Sequence, residues 1–344
     1  MKHPSRARGL TLIELMIALT IGLLLVGSAF KVYMESARTY GIHETEARLE
    51  ENARYAYSVL EPDLRMAGFW GYAKGVSSIA GASLQSASAA TTMAGTAASS
   101  CGSNFGTDLG TVIEGTNDSY TLGCTAYGSG FMPSADTITV RRASMLPSAV
   151  PTATAGPLRI CSTRTTVSLV NIGTSCQADQ SPAQNSPGTI HDLIVHAYYV
   201  SRDAATATGV PTLWRKSLNT VGTVPTFQDE EILAGVEDLQ VQFGIDYTGS
   251  TGSVQQYVDP LNAAQLPLGA QVVAVRLWLL VRADAMETGF TDNHTYAYAN
   301  RSSLNGTTHD LTSTGAAGLA YQPNDHYRRL LVSRTVMVRN VLGT

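Results

Sequence analysis

The chain of 344 residues contains no C-x-x-C, no H-E-x-x-H or H-x-x-H pair, no G-x-S-x-G elbow, no P-loop and no G-x-G-x-x-G. These absences remove the usual signatures of zinc hydrolases, serine hydrolases, nucleotide hydrolases and dinucleotide-dependent redox enzymes, so catalysis by this chain is not expected and no cofactor is implied. Charge is scarce as well, with Asp, Glu, Lys and Arg at 15%. There are 23 Lys and Arg against 27 Asp and Glu, and Lys2, Arg6 and Arg8 fall in the first nine residues. Nucleic-acid binding normally shows a clustered basic surplus, and its lack argues against such a partner.

The few titratable groups that cluster in sequence also read as structural. His191 and His196, five apart on an expected strand, point to opposite faces and cannot share a metal. His3, His43, His294, His309 and His326 form no ligand pair. The acids Asp229, Glu230, Glu231, Glu237 and Asp238 lack the spacing of a calcium loop and are expected to form a solvated acidic turn. Asn117, Asn293, Asn300 and Asn305 each begin an N-x-[ST] triplet, which marks expected exposed loops.

Cysteine is limited to Cys101, Cys124, Cys161 and Cys176. In an oxidising compartment four cysteines make two disulfides. Of the three connectivities the sequential one closes the shortest loops, giving Cys101 with Cys124 and Cys161 with Cys176. The competing zinc site finds no His near these residues in sequence.

What the sequence does have is a long apolar run near its start. Leu10 to Phe30 holds Glu14 as its one ionisable group and follows the basic leader Met1 to Gly9. As a helix this run is roughly 32 Å long, enough for a hydrocarbon core of about 30 Å. The basic leader favours a cytoplasmic N-terminus, with the remainder of the chain on the other side of the membrane. The segment Gly9-Leu-Thr-Leu-Ile-Glu14 resembles the class III signal of type IV prepilins and type II secretion pseudopilins. That resemblance implies cleavage after Gly9 by the prepilin peptidase, N-methylation of Leu10, which stands where family members most often have Phe, and Glu14 as the fifth mature residue.

A carboxylate inside a membrane helix costs about 2.5 to 3.5 kcal/mol at mid-membrane and less near the end, so it needs a partner or an interface. An interfacial Glu near a helix N-terminus is favoured by the helix dipole. A neighbouring subunit's Leu10 amine explains more, because at about 4 Å and an effective dielectric of about 20 the attraction is roughly 4 kcal/mol. On that reading Glu14 sets the axial register between packed helices.

Helical spacing continues beyond Phe30. Ile42, Leu49, Ala53, Ala56, Leu60 and Leu64 recur at three, four or seven residues, with Glu44, Glu46, Arg48, Glu50, Glu51 and Arg54 on a solvated face. Gly22, Gly27 and Gly41 weaken the helix, and Pro62 marks a kink or its last turn. Residues 73–100 are almost all Ala, Ser, Thr and Gly and read as a surface loop, as does the Gln, Pro and Ser rich stretch 177–188. Strands are expected over 136–142, 165–170, 193–201, 212–217, 239–247, 271–282 and 330–339, with the cleanest alternation in Leu239, Val241, Phe243 and Ile245.

Three further segments extend the resemblance. Leu60 to Gly71 and Tyr327 to Asn340 are similar to the end of the long helix and the terminal strand of the PilW family of minor type IV pilins, and Gly235 to Asp246 resembles a strand shared by PilW-like proteins and J-type pseudopilins. Arg65, Trp70, Arg328, Arg329 and Arg339 within them are expected to serve packing or salt bridges. The organisation implied is α+β and pilin-like: leader 1–9, membrane half of a long helix 10–30, amphipathic half 31–66, and a periplasmic β-rich lobe 67–344. The function implied is that of a minor pilin that joins other minor pilins and the major pilin, primes pilus assembly at the inner membrane and sits at the tip, with a tip adhesin as a further partner. Membrane lipid surrounds residues 10–30. A J-type pseudopilin of type II secretion and a membrane-tethered binding module or enzyme are the alternatives.

Overall fold

The computed structural model describes residues 11–73, 101–102, 105–149, 158–164, 166–170, 176, 188–221, 224–260, 266–267, 269–301, 308–309 and 320–340. The expected loops at 73–100 and 177–188 therefore fall almost wholly outside the described residues. Ala73 is an exception: it is buried and pairs with Trp70 in a short bridge. The chain divides into two compact units, Met1–Arg48 and Leu49–Thr344.

The first unit is helical from Leu12, where α1 (Leu12–Met66) begins. Most of its described side chains stand exposed, among them Leu15, Ile17, Leu19, Leu24 and Phe30, and nothing lies within 4 Å of the position a Cβ would take at Gly22, Gly27 or Gly41. By length and composition α1 is the one helix among the described residues able to cross a membrane. The Arg48 to Glu44 pair, 2.8 Å apart, adds a few tenths of a kcal/mol to its solvated face, about 0.3 to 0.5.

In the second unit the last turns of α1 bury Leu49, Ala53, Ala56, Tyr57, Leu60, Asp63 and Leu64. From Leu49 onward the spacing is the expected stripe, with Tyr57 and Asp63 added, whereas Ile42, its expected first member, is only half-buried. Covering Leu60 and Leu64 completely contributes about 1.5 to 3 kcal/mol each. α1 runs through Pro62 to Met66, and Gly68 at φ 70° then turns the chain out of the helix, a conformation that favours glycine.

Beyond the helix come β1 (Ile113–Thr116), β2 (Thr137–Ala143), β3 (Arg159–Ser162), β4 (Val167–Val170), β5 (Thr189–Ser201), β6 (Thr212–Val221), β7 (Val224–Ala234), β8 (Val236–Asp246), β9 (Gln256–Val258), β10 (Gln271–Arg282), β11 (Thr308–His309), β12 (Ala320–Tyr321) and β13 (Arg329–Met337). The first seven form one sheet in which β5 is the hub. It pairs β3 along Thr189 to Asp192, β2 along Leu193 to Tyr198 and β6 along His196 to Ser201. A second, antiparallel sheet runs β13-β10-β8-β9. Leu239, Val241, Phe243 and Ile245 of β8 are fully buried, as are Val275, Leu277 and Leu279 of β10. Tyr57 of α1 donates its hydroxyl to the carbonyls of Leu277 and Val332 at 3.2 and 3.1 Å, which fixes the helix end on this sheet. Burial pushes that phenol up from its ordinary pKa, so it stays a donor.

The expected acidic turn is not present. Asp229 and Glu230 lie on β7 opposite Lys216 and Arg215 of β6, with Lys216 Nζ 2.7 Å from Asp229 and Arg215 Nε 3.0 Å from Glu230. Glu231 accepts the Ala205 amide, while Glu237 and Asp238 open β8 and are buried. Opposite charges matched across two strands make a hairpin stable where a run of acids in isolation reads as solvated.

Candidate functional site

Gly9 and Leu10, the expected cleavage and methylation positions, lie outside the described residues. Glu14 is described, and its carboxylate has a partner within its own helix. Thr11 precedes the first helical residue and its Oγ1 accepts the Glu14 amide at 3.3 Å, while Glu14 Oε2 accepts the Thr11 amide at 3.4 Å. This is a capping box, in which two orphan donors of a helix start are satisfied reciprocally. The signal was present in the sequence as Thr-x-x-Glu, and the reading of Glu14 as a charge in search of an amine passed over it. The two roles use different properties: a cap needs an acceptor oxygen at position 14, and an amine pair needs the charge.

The lobe holds a second carboxylate with several partners. Asp63, 5% exposed, sits on the apolar stripe of α1 and receives Arg142 Nη2 of β2 at 2.8 Å and the Tyr198 hydroxyl of β5 at 2.5 Å, together with His196 Nδ1. Burial alone raises a carboxyl's pKa; the hydrogen bonds from His196 and Tyr198 and the charges of His196 and Arg142 outweigh it and hold Asp63 well below the usual carboxylate range. The cluster ties the end of α1 to the centre of the seven-stranded sheet. An Asp three residues after Leu60 and seven after Ala56 was visible in the sequence as a charge on an apolar face.

A third cluster closes the second sheet. Asp238, fully buried, accepts Tyr298 Oη and Arg301 Nε, both at 2.6 Å, and Gln240 Nε2 donates to the Ser134 carbonyl at 2.9 Å. Nearby, Arg329 Nε and Nη2 reach Glu237 at 2.6 and 2.9 Å, and its Nη1 is 2.6 Å from Asp325. Arg328 pairs with Glu287 at 2.5 Å, Arg65 with Glu61, and Trp70 is packed in the core. Arg339 is exposed.

Cys101 is bonded to Cys124, and Cys161 to Cys176. No group of three His, Cys, Asp or Glu side chains able to hold a metal occurs among the described residues. Of the four N-x-[ST] triplets, Asn117 and Asn300 are half-buried and joined to each other, Asn300 Nδ2 donating to Asn117 Oδ1 at 2.9 Å. The expectation of exposed loops is thus wrong for those two. Asn293 is exposed, and Asn305 lies outside the described residues.

Residues 4–30 match the prokaryotic N-terminal methylation motif, and residues 197–340 match the family model described as Type IV Pilus-assembly protein W. The chain thus carries a PilW region behind an N-terminal methylation motif. The region runs from the second half of β5 through β13, so it takes in the whole four-stranded sheet and the Asp238 and Arg329 clusters, and it excludes all four cysteines. Two of the three resemblances read in the sequence, Gly235 to Asp246 and Tyr327 to Asn340, fall inside it, and Leu60 to Gly71 falls outside. Among solved structures, a type IV-like pilin, TTHA1219 from Thermus thermophilus, aligns over 86% of this chain and 98% of its own at 12% identity and a TM-score of 0.34. No curated protein matches the chain.

Proposed function

We propose that this chain is a minor pilin that joins other minor pilins in a priming complex at the inner membrane, promotes assembly of a type IV pilus and stays at its tip. The observation that carries this reading is the joint occurrence of an N-terminal methylation motif at 4–30 and a PilW region at 197–340 on one chain. The role is structural. The prepilin peptidase cleaves after Gly9, Leu10 is methylated, and the exposed apolar side chains of residues 12–34 pack against other pilin helices in the bilayer. Glu14 meets a neighbour's Leu10 amine, and the lobe, held outside the membrane, selects its neighbours. The PilW region favours a pilus over a type II secretion pseudopilus.

Two measurements test the reading together. Mass spectrometry of the mature N-terminus is expected to find methylated Leu10 with residues 1–9 gone. Deletion is expected to abolish surface pili and twitching; normal piliation in the deletion strain overturns the assignment.

A further inference from the structure

The second sheet ends in an unusually plain edge. β13 pairs β10 in unbroken register over nine residues, Arg329 with Arg282 through Met337 with Ala274, whereas the β10 to β8 pairing is interrupted twice. Among the described residues β10 is the one strand partner of β13, so the other side of β13 offers a row of backbone N–H and C=O groups to whatever strand arrives. Edges of this kind are normally blunted by proline, a bulge, a short span or several charges. β13 has none of the first three, and Arg334 is the only charge between Leu330 and Met337. Ser333, Arg334, Thr335 and Met337 are exposed along it.

The charge beside this edge runs against that of the chain, whose formal net charge is −4. Arg334 and Arg65 share a single carboxylate, Glu61, with Arg334 Nη1 at 3.1 Å, and both arginine side chains are about half exposed at 51% and 53%. Arg339 stands exposed just past the strand, and Asn340 Nδ2 donates to the Arg65 carbonyl at 3.3 Å, which places these residues along one ridge. Two guanidiniums thus share one acid beside the open backbone, and a third, Arg339, stands exposed at its end.

We propose that β13 is a receptor edge, pairing with an extended, carboxylate-bearing strand of a neighbouring pilin-type subunit, which becomes the fifth strand of the sheet. Main-chain hydrogen bonds supply the affinity and the basic ridge selects an acidic strand. The inference rests on the minor-pilin reading for the source of the strand.

The test uses the full chain in the inner membrane beside its pilin partners, with a photo-cross-linking residue at Thr335 on the edge or, separately, at Tyr33 on α1. Both are expected to give adducts with pilin-type subunits, the Thr335 adduct mapping to an extended segment that contains Asp or Glu and falling at least tenfold in Arg334→Glu, and again in Arg339→Glu. Adducts from Tyr33 alone overturn the receptor edge and leave the minor-pilin reading standing. A Thr335 adduct on a helix, or one untouched by both charge reversals, also overturns it. No pilin adduct from either position sinks both readings.

Discussion

Asp63 of α1 and Arg142 of β2 meet at 2.8 Å, 79 residues apart in sequence, with Asp63 almost fully enclosed. A buried carboxylate shared by a guanidinium, a phenol and an imidazole is strongly favourable only while every member is in place. Removing one partner strands the others in a low-dielectric interior. The pair therefore acts as a latch between the helix end and the seven-stranded sheet.

Asp63→Ala is expected to lower lobe stability by about 3 to 5 kcal/mol, the range for breaking a buried ion pair. Urea unfolding followed by tryptophan fluorescence measures it; a loss below about 1 kcal/mol means that the cluster contributes little more than a surface pair.

The same residue sets a pH dependence. Because the folded carboxyl of Asp63 titrates below its unfolded value, its stabilisation is complete above the ordinary carboxylate range, near pH 4, and declines as pH falls below that range toward the folded pKa. Asp246 acts in the same direction: hydrogen bonds from the hydroxyls of Thr248 and Thr251 and from the amides of Gly252 and Thr248 hold its carboxyl low. Melting temperature is thus expected to drop between pH 4 and pH 2, and to drop less steeply in Asp63→Asn. An acid limb of unchanged slope in that variant contradicts the assignment.

Reduction is expected to destabilise the lobe. The disulfides close spans of 23 and 15 residues, and the chain-entropy model gives about 3 kcal/mol for a loop of this size. Thermal melts of Cys161→Ser with Cys176→Ser, and of Cys101→Ser with Cys124→Ser, should each show a loss of that order; an unchanged melt for either pair refutes its contribution.

Much of this architecture was legible from residue patterns. The three- and four-residue recurrence from Leu49 to Leu64 marks the face that α1 buries, and alternation from Leu239 to Ile245 marks β8 because its apolar set faces the core. β7 was not legible. Its acids at 229–231 look solvated until Arg215 and Lys216 of β6 are set opposite them, and that pairing depends on register across a hairpin. Asp63 was missed for a related reason, since a charge on an apolar stripe acquires meaning only when Arg142, His196 and Tyr198 arrive from distant strands. The Thr11 and Glu14 cap was local and present in the sequence, yet it was overshadowed by the electrostatic question that a membrane carboxylate raises.

Glu14 decides the central claim, that the chain assembles with other pilins through a buried charge pair. Glutamine at position 14 keeps the acceptor that the capping box needs and removes the charge, so Glu14→Gln separates the two roles. The direct measurement is affinity isolation of the full chain from inner membranes, comparing pilin-type subunits recovered with wild type and with Glu14→Gln at equal expression. The charge pair predicts loss of co-isolated subunits of at least tenfold in Glu14→Gln, as for Glu14→Ala. Recovery equal to wild type in Glu14→Gln contradicts it and leaves Glu14 with the cap alone.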